Sequence, residues 1–271
     1  MSKIAPIFNR TIDFKAAPII ISATLSGRPW VKVMSSNQAA VDNKHAPVIA
    51  IDGPSGAGKG TIAFKLAQHF NWPILDSGAI YRALGLAAKQ QSIDFTDNPQ
   101  LVDLALNLPL SFVADEASGE VIAQLDGVAV GDAIRTDEAG QAASQVAAIP
   151  AVRSALLQRQ RDFQRAPGLI ADGRDMGTVV FPQTPAKIFL TASAETRANR
   201  RFEQLKEKGI DASLCALLKS IQERDERDRT RTVAPLVPAE GAFVVDSSQL
   251  SIDDVFSQVL EFVEKTLSIA N

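Results

Sequence analysis

Gly53-Pro54-Ser55-Gly56-Ala57-Gly58-Lys59-Gly60-Thr61 is the stretch that decides the fold, because it joins an apolar run, Val48 to Asp52, to a helical pattern from about Thr61 to Phe70. A buried strand that turns through glycines into a helix aims backbone N–H groups and the positive end of the helix dipole at one point. Glycine also lets the backbone approach an anion closely. The stretch therefore predicts a phosphate-binding loop that opens a helix.

Lys59 and its neighbours match the pattern G-x-x-x-x-G-K-[ST] except at the last place, which is Gly60, with Thr61 one residue later. We expect Lys59 to place a positive charge on the β and γ phosphates of a nucleotide. Because the usual magnesium-binding hydroxyl is shifted, we expect Mg²⁺ to be held mostly through phosphates and water, with Thr61 as a candidate contact. The alternative, a glycine-rich turn without a ligand, is disfavoured by the strand, the helix and the lysine around it.

The composition is that of a globular protein, with 46% hydrophobic and 22% charged residues. The net charge of -3 is uneven, because residues 1–46 carry six Lys or Arg against two Asp and the rest is strongly acidic. This balance argues against a general nucleic-acid or membrane surface. The single cysteine, Cys215, excludes an internal disulfide, and its leucine neighbours predict a packed thiol.

Residues 1–46 form a basic leader that differs from the rest of the chain. Its one apolar run, Ala16 to Leu25, is interrupted by Pro18 and is too short to span a membrane. The run also lacks a clear signal-peptide cleavage site. We expect the leader to be dispensable and disordered, with Met34 as a candidate initiator, and we expect a cytoplasmic protein.

From Pro47 onwards apolar runs alternate with helical patterns. This rhythm predicts an α/β fold with a doubly wound parallel sheet of about five strands flanked by helices, and with functional groups at the carboxyl ends of the strands. The predicted strands are apolar on both faces, as buried parallel strands are. They are Val48 to Ile51, Pro73 to Leu75, Leu169 to Ala171, Lys187 to Leu190 and Ala242 to Val245.

One segment, about 92–136, breaks this rhythm. Short β-rich runs there are separated by the turn signals Asp115 to Gly119 and Asp126-Gly127, which predicts a small antiparallel insert outside the parallel sheet. The last helix is expected to begin at a capping box, Ser251 to Asp254.

Two further junctions place polar residues directly after predicted strands. At Asp76 to Arg82, Ser77 caps a helix or, together with Arg82, binds a second anion, and the pattern leaves both readings open. In the loop after Ala171, Asp172 is a candidate for positioning magnesium-bound water and Arg174 for reaching phosphate.

The run Glu223 to Arg231 holds four arginines and four acids in nine residues. A solvated helix with internal ion pairs is the ordinary reading of such a run. The phosphate loop favours a second reading, a short helical lid at about 223–236, because phosphoryl transfer needs arginines to neutralise spreading charge. On a helix one face would carry Arg224, Arg227, Asp228 and Arg231.

Taken together, five motifs in this order resemble the bacterial cytidylate kinase family over about residues 47–268. They are Gly53 to Thr61, Leu75 to Arg82, Ala142 to Ala148, Ile170 to Pro182 and the arginine-rich run. The resemblance implies a nucleoside monophosphate kinase domain at 47–271, with a P-loop core, a monophosphate-binding region enlarged by the insert, and a lid. It also implies transfer of the γ-phosphoryl group of ATP to CMP or dCMP with Mg²⁺.

The resemblance further implies roles for individual side chains. The ATP-binding residues are Gly53, Pro54, Ser55, Gly56, Ala57, Gly58, Lys59, Gly60 and Thr61. The residues for the acceptor phosphate and the moving phosphoryl group are Ser77, Arg82, Arg174 and Arg231, those for the cytosine edge are Ser144, Arg153 and Asp175, and those near the sugar are Arg224 and Asp228. The catalytic set is Lys59, Arg174, Arg231 and Asp172.

Two other functions stay open from the sequence. One is a P-loop kinase for another small acceptor such as UMP. The other is a non-catalytic, nucleotide-dependent module that associates with RNA through the arginine run, although the acidic core suits it poorly. The sequence shows no long exposed apolar repeat, so we expect a monomer.

Overall fold

The computed structural model describes residues 46–114 and 121–270. The predictions made for residues 1–45 and for the hairpin turn at Asp115 to Gly119 lie outside the described residues.

Strands and helices alternate along most of the described chain. In order they are β1 (Val48–Asp52), α1 (Lys59–Phe70), β2 (Ile74–Asp76), α2 (Ser77–Gln90), α3 (Asn98–Leu106), β3 (Leu110–Ala114), β4 (Val121–Leu125), β5 (Val128–Ala129), α4 (Gly131–Ile134), α5 (Asp137–Val146), α6 (Pro150–Arg161), β6 (Leu169–Gly173), a π-helical turn (Met176–Val180), β7 (Ala186–Thr191), α7 (Ala194–Glu207), α8 (Leu214–Thr230), β8 (Phe243–Asp246) and α9 (Ile252–Ala270). Each apolar run predicted as a strand of the parallel sheet is a strand.

The main sheet has five parallel strands in the order β2-β6-β1-β7-β8. All five residues of the central strand β1 are buried. Ile49 belongs to an apolar cluster with Leu66 of α1 and Val259 of α9, whereas Ala50 belongs to a second cluster with Leu84 of α2. Successive residues of a strand point to opposite faces, so helices cover both sides of the sheet. The predicted doubly wound α/β fold is confirmed.

The insert carries a separate antiparallel sheet, β3-β4-β5, in which Leu110 pairs with Leu125. The predicted antiparallel strands are therefore confirmed. Helix α3 was not expected within this segment. It begins where the Asp97 side chain accepts the Gln100 N–H at 3.1 Å and a proline occupies the first turn, which are both common features of a helix start.

Local contacts correct two expectations and confirm a third. Asp76, not Ser77, caps α2, because its Oδ1 accepts the Ala79 N–H at 2.9 Å. The expected packed thiol is wrong, since Cys215 is exposed. At the start of α9, Ser251 accepts the Asp254 N–H at 3.1 Å, as the capping box predicts.

Within the described residues no helix combines the length and the apolar character that crossing a membrane requires.

Candidate active site

The carboxyl ends of three neighbouring strands bring the predicted site segments to one edge of the sheet. Asp52 of β1 pairs in register with Gly173 of β6, and Asp76 of β2 pairs with Asp172 of β6. The phosphate loop, the start of α2 and the loop after β6 therefore meet. This is the edge at which parallel α/β proteins bind their ligands.

The loop between β1 and α1 needs glycine for packing as well as for its turns. Gly53 has a φ of 149°, and a Cβ there would lie 1.9 Å from the carbonyl oxygen of Leu190. Gly58, with a φ of 95°, precedes α1 in the left-handed region. The backbone can thus follow the tight path that leads into the N-terminus of α1.

Lys59 is buried at the first position of α1. Its Nζ donates to the Pro54 carbonyl oxygen at 2.9 Å and lies 3.8 Å from Asp172 Oδ1. Burial, assisted by the nearby Arg174, lowers the pKa of Lys59 to about 8, while Asp172 opposes this shift. The ammonium group is therefore held against the start of the loop, and Asp172 neutralises its positive charge only in part.

Asp172 and the start of α1 offer oxygen donors of the kind that Mg²⁺ prefers. A Cβ on Gly60 would lie 3.8 Å from Asp172 Oδ2, and Thr61 is exposed on the same first turn. Among the described residues no group of three or more His, Cys, Asp and Glu side chains is placed to hold a metal ion. Asp172 and Thr61 could therefore contribute oxygen ligands to a Mg²⁺ ion.

A pocket beside the phosphate loop gathers eight of the nine side chains expected to bind the acceptor. They are Ser77, Ser144, Arg153, Arg174, Asp175, Arg224, Asp228 and Arg231. The ninth, Arg82, lies next to the pocket, where its Nη2 donates to Asp76 Oδ2 at 2.8 Å. A Cβ on the pocket residue Gly78 would come within 2.8 Å of Arg82 Nη1.

One end of the pocket is formed by Asp175, which is buried and pairs with Arg153 of α6. Arg231, the first residue after α8, places its Nη2 3.8 Å from Asp175 Oδ1. Burial raises the pKa of Asp175, against the opposing effect of Arg153 and Arg231. Two arginines from distant parts of the chain therefore orient this carboxyl group.

A second carboxylate, Asp228, links α8 to the other walls of the pocket. It accepts from Ser144 Oγ at 2.7 Å and from Arg174 Nε at 3.1 Å. Burial alone would raise the pKa of Asp228, but Arg174 and Arg224 hold it below the usual value. The carboxylate thus stays charged at neutral pH and ties α8 to α5 and to the loop after β6.

Several buried donors around the pocket have no hydrogen-bond partner in the described chain. They are Arg82 Nε, Arg224 Nε and Arg231 Nη2. Unpaired buried donors are costly, and arginine forks match the geometry of phosphate oxygens. The pocket therefore suits a small molecule that carries a phosphate or another anionic group together with polar groups.

The family model described as cytidylate kinase matches residues 49–265. The chain belongs to the cytidylate kinase family. A cytidylate kinase of Shewanella amazonensis is 55% identical over 226 residues, which cover 83% of this chain and 98% of the relative. A cytidylate kinase of Pseudomonas aeruginosa strain UCBPP-PA14 is 56% identical over 223 residues, which cover 82% and 97%. The predicted family is confirmed.

A solved gluconokinase structure from Sinorhizobium meliloti 1021 is also similar, with 13% identity and a TM-score of 0.40 over 83% of this chain and 95% of that chain.

Two residues that contact the candidate site were missed by sequence reasoning. Gln160 of α6 accepts from Ser77 Oγ at 2.7 Å, and both residues are buried. Arg197 of α7 donates to the Ser55 carbonyl oxygen at 3.1 Å and pairs with Asp225 of α8. Neither residue lies in a motif, and each partner lies far away along the chain, so only a map of spatial contacts reveals them.

Proposed function

We propose that this protein transfers the γ-phosphoryl group of ATP to CMP or dCMP, giving ADP and CDP or dCDP. The observation that carries the proposal is the pocket beside the phosphate loop. Arg224 and Arg231 line it with buried nitrogens that have no hydrogen-bond partner, and one end holds the oriented Asp175 carboxyl group. A monophosphate with a base that offers a hydrogen-bond donor suits this distribution of charge.

On the ATP side, the backbone N–H groups of residues 55–61 surround the phosphates at the N-terminus of α1. Lys59 compensates the charge that develops on the transferred group. Arg174 and Arg231 take part from the acceptor side, since both line the pocket. Such a transfer needs alignment and charge neutralisation and no covalent intermediate.

On the acceptor side, Ser77, Arg82, Arg174 and Arg231 bind the phosphate. Ser144, Arg153 and Asp175 read the base, and Arg224 and Asp228 contact the sugar. An aspartate accepts a hydrogen bond from the exocyclic amine of cytosine. Uracil presents an oxygen at that place, which would leave two acceptors facing each other.

Mg²⁺ would accompany ATP in this proposal, and Asp172 and Thr61 are the residues that would help to hold it. The ion would supply charge neutralisation on the phosphates. We also propose a monomer, because the sequence shows no long exposed apolar repeat, and the use of ATP and CMP supports work in the cytoplasm.

The test is an assay of ADP release with ATP, Mg²⁺ and CMP, dCMP, UMP or AMP in turn. We expect release with CMP and dCMP well above that with UMP or AMP. A preference for UMP would contradict the acceptor assignment. RNA binding that weakens steeply with salt, without ADP release, would favour the non-catalytic alternative. A shortened protein that begins at Met34 should match the full chain, because we propose that the leader is dispensable.

A further inference from the structure

Asp52, the last residue of β1, is a buried carboxylate to which the proposed mechanism gives no role. It is 2% exposed, and its two oxygens accept two consecutive backbone N–H groups, from Met176 at 2.7 Å and from Gly177 at 2.8 Å. Residue 52 directly precedes the phosphate loop, and residue 176 directly follows Asp175. One side chain therefore joins the two loops of the site.

The two N–H groups open the π-helical turn Met176–Val180. Further along that turn the N–H groups of Val179 and Val180 both donate to the Asp175 carbonyl oxygen, at 2.9 and 3.1 Å. The first N–H groups of a helical turn have no partner within it. Asp52 supplies that partner from β1, and so fixes the backbone of the residues that directly follow Asp175.

The far end of the turn is held in the opposite sense. Arg161 of α6 donates to the carbonyl oxygens of Val179 and Val180, each at 3.0 Å. A carboxylate at the start and a guanidinium at the end of this short turn complement the direction of its peptide dipoles. The backbone on the carboxyl side of Asp175 is thus clamped from both ends.

Close packing around Gly177 keeps its N–H within reach of Asp52. A Cβ on Gly177 would lie 3.3 Å from Ala239 Cβ and from Lys187 Cγ, and 3.4 Å from Asp52 Oδ2. Any side chain here would press on the carboxylate and its surroundings. Glycine at position 177 therefore allows the hydrogen bond between the Gly177 N–H and Asp52.

The contact comes at a cost in desolvation. Burial raises the pKa of Asp52 to about 7, Asp175 adds to the shift, and the two N–H groups and Lys59 oppose it. Within the described ranges Asp52 has two backbone donors and no ion-pair partner close by. A buried carboxylate held only by backbone N–H groups loses more free energy by desolvation than an apolar side chain would at the same strand end.

We propose that Asp52 is a positioning residue for acceptor selection, whose carboxylate sets the backbone of the turn after Asp175 and thereby aims the Asp175 carboxyl group at the base of the acceptor nucleotide. This inference rests on the proposed function. According to this inference, β1 both leads into the phosphate loop and helps to select the base of the acceptor.

The experiment compares full-length wild-type protein with Asp52→Asn, which keeps the shape but sets an NH₂ group against an N–H donor. The readout is the ratio of kcat/KM for CMP to that for UMP. Leaving a buried backbone N–H without its acceptor predicts a fall in this ratio of roughly tenfold. The KM for ATP should change less than about threefold, because the phosphate loop keeps its own contacts.

Thr184→Val is the matched control. Thr184 Oγ1 donates to the carbonyl oxygen of Val48 at the opposite end of β1 and is also buried. This control loses a buried hydrogen bond to the same strand, so it should lower the melting temperature and leave the CMP-to-UMP ratio unchanged.

Gly177→Ala is a second variant, for which the close contacts predict a smaller fall in the ratio, and it decides the question if Asp52→Asn does not fold. An unchanged ratio in the folded variants would overturn the inference, even if their melting temperatures fall. Absence of CMP phosphorylation by the wild-type protein would instead overturn the proposed function, so the two failures are distinguishable.

Discussion

The loops that follow β1 and β6 lie side by side at the same edge of the sheet but are built in different ways. The loop after β1 presents backbone N–H groups and one lysine, on a path set by glycines such as Gly53 and Gly58. The loop after β6 presents side chains, and its Arg174 and Asp175 are each paired with a residue from a helix elsewhere in the chain.

This difference separates two kinds of dependence. A backbone-made loop keeps its shape as long as its own dihedral angles are allowed, whereas a side-chain-made loop depends on how well α6 and α8 dock against it. Phosphoryl transfer and base selection should therefore respond to different substitutions.

The largest effect is expected for Lys59→Ala, which removes the one cationic side chain of the first loop. Turnover with saturating ATP and CMP should fall roughly 100- to 1,000-fold, as for loss of a group that stabilises charge in the transition state. Lys65→Ala, at a partly exposed residue on the same helix that pairs with Asp253, should keep full turnover. Near-complete turnover by Lys59→Ala would remove this lysine from the mechanism.

The next effect concerns the carboxylate that joins the loops. Because burial raises the pKa of Asp52 from 3.8 to about 7, the native chain binds this proton more tightly than the unfolded chain does. The stability contributed by this group is complete below pH 3.8 and is lost as the pH rises through about 7. Between pH 5 and 8 this loss amounts to about 3 kcal/mol.

Urea unfolding of the wild-type protein and of Asp52→Asn at several pH values measures this loss, since Asn does not titrate. The difference between the two unfolding free energies should shift against the wild-type protein as the pH rises. A difference that stays flat from pH 5 to 8 would show that Asp52 has an ordinary pKa.

Asp175→Ala should act on the second loop alone. The kcat/KM for CMP should fall roughly 100-fold more than that for UMP, because only cytosine loses a donor-to-carboxylate hydrogen bond. Asp162→Ala, an exposed aspartate that follows α6, is the control and should change neither value. Equal losses with both substrates would place Asp175 in phosphate binding or in structure.

Ser144→Ala should have a smaller effect, and it too concerns the loop after β6. It removes the hydroxyl that donates to Asp228 at 2.7 Å but leaves the Arg174 contact in place. The KM for CMP should rise about tenfold, with kcat changed much less. An unchanged KM would show that the link between α5 and α8 does not affect acceptor binding.

The smallest effect is expected for Gly60→Ala in the first loop. The nearest atom to a Cβ there is Asp172 Oδ2 at 3.8 Å, an ordinary contact distance, and α1 already includes this residue. Replacing a helical glycine by alanine should raise the unfolding free energy by less than about 1 kcal/mol in thermal or urea melts. A clear loss of stability would mean that the loop is tighter than its contacts show.

The same comparison explains what the sequence predicts and what it leaves out. The phosphate loop is contiguous, so strand, glycines, Lys59 and helix are all visible in one stretch, and the five parallel strands follow from their apolar runs. The individual pairs of the second loop join α6 and α8 to β6, and the residue spacing alone does not reveal them. Their roles entered through family resemblance, while Gln160 and Arg197 were missed because their surroundings in the sequence resemble solvated helix.

The position of β1 has a consequence for how the chain is made. During synthesis β1 emerges early, yet its two neighbours in the sheet, β6 and β7, end only at Gly173 and Thr191. The strand β1 therefore stays without its sheet neighbours while the insert and several helices are synthesised. Contacts between residues so far apart in the sequence also form slowly. A chain released before β6 is complete at Gly173 would carry β1, with its four apolar residues Val48 to Ile51, without either neighbour, and is expected to aggregate.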